Sequence, residues 1–125
     1  MLSSIALTIA LGLTPQHWTA YSLTAMSITG DVTFQPTRMT FAGGKSVALS
    51  YVKKLGQYAL YRVSAKANPH LLRGNTICGS KLPGYVAVWR GGVDVAVSFF
   101  SAGIPPSNVN APSLCATYTY NSEVR

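Results

Sequence analysis

The stretch that most constrains the fold is residues 85–100, YVAVWRGGVDVAVSFF. It reads as a β-hairpin turning on Gly91-Gly92, because two glycines accept the positive φ angles of a two-residue hairpin turn. A turn there sets Arg90 opposite Val93, Val88 opposite Val95 and Val86 opposite Val97. The valines then share one face of the pleat, while Tyr85, Ala87, Trp89, Asp94, Ala96 and Ser98 share the other. Turn chemistry and side-chain alternation agree on this register, which marks a β-ribbon.

The remaining chain repeats that pattern at shorter range. Residues 27–34 read as a strand with Ile28, Val32 and Phe34 alternating around Gly30-Asp31, ended by Pro36. Residues 38–41 point Met39 and Phe41 one way, and 42–44 turn the chain into a strand carrying Val47, Leu49 and Tyr51 on one face. A three-residue loop of Leu55, Gly56 and Gln57 then pairs Tyr51 with Tyr61, Leu49 with Val63 and Val47 with Ala65. A two-residue loop would set Leu49 against Arg62 and mix the faces. Residues 76–78 form a short strand or an irregular connection, 103–112 a proline-stiffened loop, and 113–121 a last strand. On that strand Cys115, Thr117 and Thr119 oppose Ala116, Tyr118 and Tyr120. No helical period occurs outside the N-terminus. The expectation is one all-β domain, a small antiparallel barrel or sandwich of seven or eight short strands.

Residues 1–25 read differently. Residues 5–13, IALTIALGL, form an apolar run followed by Pro15, of signal-peptide length and well short of the roughly 20 residues of a membrane span. The reading is a leader over 1–25, cleaved between Ser22 and Met26, ahead of a β domain over 26–125 in the periplasm or outside the cell. MLSS supplies no basic n-region, so a buried helix or strand is the competing reading. The chain has two cysteines, Cys78 and Cys115, and an exported chain with an even count suggests one disulfide. Two buried free thiols are the alternative.

Charge bounds the partner. Ten Lys and Arg stand against three Asp and Glu, a net +7. That balance favours an anionic glycan, an anionic lipid or an acidic protein. Arg62, Lys66, Trp89 and Arg90 are the candidate binding surface, since they set basic groups beside an aromatic ring. Such a surface also suits single-stranded nucleic acid, one of two alternatives. The other is a small exported hydrolase, but a mature chain keeps only His70, Asp31, Asp94 and Glu123 for chemistry. No serine has the glycine-flanked elbow of the hydrolases, and Gly43-Gly44-Lys45-Ser46 opens a strand where a phosphate-binding loop opens a helix. The cysteine and histidine spacing fits no metal site, and no cofactor is expected. An exported, non-enzymatic binding domain is the leading expectation.

Two segments resemble known proteins. Residues 72–79, LRGNTICG, with residues 115–118, CATY, and the upstream residues 36–46, PTRMTFAGGKS, look like small exported bacterial proteins of uncharacterised function. The resemblance spans most of residues 27–120, implies export and a paired Cys78 and Cys115, and carries over no catalytic residue. The periplasmic C-type lysozyme inhibitors are also small disulfide-bonded barrels. Their signature segments have no counterpart here, and a chain of +7 would repel basic lysozymes.

Overall fold

A computed structural model describes residues 14–64 and 68–122. Eight antiparallel strands follow one another around a closed barrel. They are β1 (Gln16–Ala20), β2 (Val32–Gln35), β3 (Arg38–Phe41), β4 (Ser46–Leu55), β5 (Tyr58–Ser64), β6 (Pro83–Gly91), β7 (Asp94–Ser101) and β8 (Leu114–Ser122). β8 returns to β1 through Trp18 opposite Ser122 and Ala20 opposite Tyr120, so no sheet edge is left open. Among the described residues, no helix is long and apolar enough to cross a membrane.

That closure uses residues 16–20, which lie inside the stretch read as a leader over 1–25. Residues 16–20 alternate outward His17 and Thr19 with inward Trp18, a short strand masked in the sequence by the apolar run before it. Residues 1–13 lie outside the described residues, so the apolar run itself is not at issue. The expected strand over 27–34 is corrected. Ala25–Thr29 is a single π-helical turn, ended by Gly30 at φ +64°, and only Val32–Gln35 is strand. A side chain at Gly30 would also collide with Ala42.

The organising hairpin keeps its faces and shifts its turn. Arg90 stands opposite Val95, Val88 opposite Val97 and Val86 opposite Phe99, which places Gly92 and Val93 in the turn. Only the first turn residue, Gly92, has positive φ, at +63°, as a type II′ turn requires. Gly91 serves packing: a Cβ there would overlap the Trp89 indole. Between β4 and β5 the expected pairs hold, Tyr51 opposite Tyr61 and Leu49 opposite Val63. The loop is nevertheless two residues, Gly56 and Gln57, and a bulge between Tyr51 and Lys53 absorbs the extra one. The expected pair of Val47 with Ala65 falls on a residue outside the described ones.

Inward side chains fill the barrel, as eight strands allow. Trp18, Phe34, Met39, Val86, Val97, Phe99, Tyr118 and Tyr120 are all buried there. Trp18 stacks on Phe34 with centroids 4.7 Å apart. A second apolar cluster of Leu55, Leu60, Tyr85, Ala87, Phe100 and Ala111 lies on the outer wall, beneath the loop over 102–113. The two barrel ends differ. One is plugged by the π-turn and by residues 71–78, held by Tyr120 Oη to Thr29 Oγ1 at 2.7 Å and Tyr118 Oη donating to Ile77 O at 2.9 Å. The Cys78–Cys115 disulfide joins this plug to β8, as the cysteine count suggested. At the opposite end the hairpin tips at 56–57 and 92–93 stand around an aromatic floor.

The plug makes the fold sensitive to alkali. Burial pushes the Tyr118 hydroxyl up to about 12, and raises Tyr120 as well, against the hydrogen bond it shares with Thr29. An unfolded tyrosine ionises near 10. A raised folded value favours the protonated native state, so this stability is complete below pH 10 and lost as pH rises towards about 12. Denaturant midpoints measured from neutral pH upward should fall with the appearance of tyrosinate absorbance. Tyr118→Phe should flatten that fall.

Candidate binding site

The candidate residues do not form one surface, because a strand sends neighbouring side chains to opposite faces. Trp89 points outward and Arg90 inward, over the open end of the barrel. Arg62 lies on the outer wall with its guanidinium 5.5 Å from the Tyr85 ring centre, next to the loop-covered cluster. Lys66 lies outside the described residues.

Trp89 is the residue around which outer-wall space is organised. It is half-buried, its ring laid back over Gly91, and it borders two grooves. One, of about 590 Å³, runs beneath the β4–β5 tip and is bounded by Leu55, Gln57, Tyr58, Asn108 and Val109. The other, of about 520 Å³, passes over β7 and β8 to Tyr21, Asp94, Thr119 and Asn121. Ala96, opposite Trp89, makes the small floor common to both, and Thr119, opposite Ala96, continues it in the second groove only. Tyr21, 65% exposed, hangs from Thr119 by its backbone N–H at 3.0 Å and closes the far end. The result is a platform with an aromatic ring at its centre, tyrosines at both ends and amide or carboxylate groups along its rims.

The inward face at the open end carries a second cluster. The Arg90 guanidinium lies 5.1 Å from the Phe34 ring centre and 5.8 Å from that of Trp18. Tyr61 meets Phe34 and Tyr51 edge-on, at 5.6 Å and 5.7 Å. Burial raises the Tyr61 hydroxyl above its ordinary range, and the nearby Arg90 charge works against that rise. Lys54 stands opposite Ala59, whose methyl packs on the interior cluster, so a second cation belongs to the inward face of this wall.

No family model, curated protein or solved structure matches the chain.

The potential catalytic groups are dispersed. Asp94 stands opposite Asn121, and Asn121 opposite Thr19, with Asp31 one strand further on. Three strand spacings put the two carboxylates about 14 Å apart on an outward-curving wall. Two-carboxylate glycoside hydrolysis needs them within about 9.5 Å. Asp31 is engaged by the Ala20 N–H at 2.9 Å. His17 meets Thr33 Oγ1 at 3.2 Å, and His70 is exposed in a loop. Glu123 lies outside the described residues. Tyr21 and Asn108 were missed as site residues, because each sits in a connection that only the closed barrel brings beside Trp89.

Proposed function

We propose that this protein is an exported, non-enzymatic domain that binds glycans on the Trp89 platform. The observation that carries the reading is the position of Trp89 where two grooves meet over the small side chain of Ala96. The apolar face of a sugar ring can lie on an indole, leaving its hydroxyls to amides and carboxylates at the edges. Gln57 and Asn108 supply such partners on one side, and Asp94 and Asn121 on the other. The net charge of +7 favours acidic polymers of the cell envelope or its surroundings. The disulfide fits an oxidising compartment. The dispersed acids and histidines give hydrolysis no support.

Tryptophan fluorescence offers a direct test. The chain has two tryptophans, and Trp18 is buried at 1% exposure beneath Arg90, so a change on titration with neutral oligosaccharides reports Trp89. That titration should change the emission saturably. Trp89→Ala should abolish that change and weaken binding at least tenfold, since loss of one stacked aromatic contact costs roughly 1–3 kcal/mol in comparable sites. Binding that survives Trp89→Ala, or a clear preference for single-stranded DNA, would overturn the glycan reading.

A further inference from the structure

The aromatic floor of the open end explains why Arg90 stays in place, and leaves unexplained what its charge and the hydroxyl beside it are for. Among the described residues no carboxylate pairs with Arg90, and its contacts are the Phe34 and Trp18 rings. Tyr61 is only 7% exposed as a residue, but its hydroxyl keeps access to solvent and no described residue hydrogen-bonds it. A hydroxyl in that position is a donor open to a ligand. We propose that the Arg90 guanidinium and the Tyr61 hydroxyl form an oxyanion subsite at the open end of the barrel, taking the carboxylate or sulfate of an acidic glycan.

The chemistry of the two groups is complementary. Aromatic rings hold the guanidinium while its N–H edges remain donors, and a planar fork suits a carboxylate or sulfate. The Tyr61 hydroxyl supplies a further donor, and a hydrogen bond to a charged acceptor is stronger than one to a neutral acceptor. Lys54 adds positive charge on the same inward face. The rim between this subsite and the Trp89 platform is the β6–β7 tip, where Gly92 has no side chain, Val93 is exposed and the Trp89 ring lies over Gly91. The two outer grooves differ in charge as well: Asp94 borders the groove over β7 and β8, while no acidic residue borders the one beneath the β4–β5 tip. An acidic sugar is repelled from the first, so it belongs at the Arg90 side.

The inference rests on the glycan reading for what carries the anion, and its test separates the two. Isothermal titration uses three probes: galacturonate oligomers for the carboxylate, sulfated dextran fragments for the sulfate, and plain dextran fragments as the neutral reference. The protein should favour at least one acidic probe over the neutral one by about tenfold, the worth of a hydrogen bond to a charged group. Tyr61→Phe, which keeps shape and net charge, should remove most of that preference and leave neutral binding unchanged. Arg90→Lys should act in the same direction, because it keeps the charge and loses the fork. Thermal melts establish that both variants remain folded. If Tyr61→Phe and Arg90→Lys bind the acidic probes as the parent does, the attraction is diffuse and the subsite does not exist. If acidic and neutral probes bind alike, it is likewise overturned. Failure of the platform reading looks different: Trp89→Ala would leave every affinity in place.

Discussion

A chain beginning at Leu23 should fail to fold. Cleavage between Ser22 and Met26 is what the apolar run and Pro15 predict, and it would remove β1 altogether. β1 is the closing strand, paired with β2 along Gln16–Trp18 and with β8 along Trp18–Ala20. Its loss would bare the edges of both neighbours, a template for aggregation. It would also remove Trp18, stacked on Phe34 and 5.9 Å from the Tyr120 ring. Truncating a buried tryptophan to alanine costs about 3–5 kcal/mol, against a total stability of about 5–15 kcal/mol for a typical domain. Two lost strand interfaces add to that. The expected result is a chain without near-ultraviolet dichroism or a cooperative melt, whereas the chain beginning at Thr14 shows both. Mass spectrometry of the protein from its native source should accordingly find an N-terminus at or before Gln16. A cooperative transition in the shorter chain would show β1 to be dispensable and support the later boundary.

The reason β1 escaped notice is local. Five residues with one inward tryptophan make a weak period-2 signal, and an apolar run next to them reads more strongly as a leader. Strand faces elsewhere were legible because alternation is periodic: Val86, Val88, Val95 and Val97 all point inward as expected. Positions of turns were less legible. Either glycine of Gly91-Gly92 could occupy the turn, and the choice depends on Trp89 lying over Gly91, a contact with no signature in the sequence. Likewise the β4–β5 register was right although its loop length was not, because the bulge after Tyr51 does the work assigned to a longer loop. For the site, Trp89 and Arg90 stood out as an aromatic beside a base. That they serve opposite faces follows from the pleat. Tyr61 did not stand out, since its unpartnered hydroxyl exists only once Phe34 and Arg90 arrive from across the barrel.

Removing the disulfide should cost about 4 kcal/mol on the chain-entropy account, for two cysteines 37 positions apart in sequence. The local structure points to where that loss acts. Residues 71–78 are outside the barrel ladder and contribute only the isolated bridge of Cys78 with Lys81. Their remaining anchors are the burial of Leu71 and Ile77, the Tyr118 hydrogen bond to Ile77 O, and contacts from Arg73 Nη1 and Asn75 Nδ2 to Ser27 O. Without the covalent tie this plug should open before the strands separate, and opening it exposes the Tyr118 hydroxyl. Denaturant titration of the double variant Cys78→Ser and Cys115→Ser should therefore show a lower midpoint. Hydrogen exchange should show residues 71–78 losing protection while β6 and β7 keep theirs. Thiol titration of denatured, unreduced protein should find no free sulfhydryl, consistent with both cysteines being bonded. The open end, at the other pole of the barrel, shares none of these anchors, so mild reduction should leave the fluorescence response of Trp89 to ligand intact. Loss of that response together with plug protection would mean that the two ends are coupled, and that the barrel wall does not isolate the platform from its base.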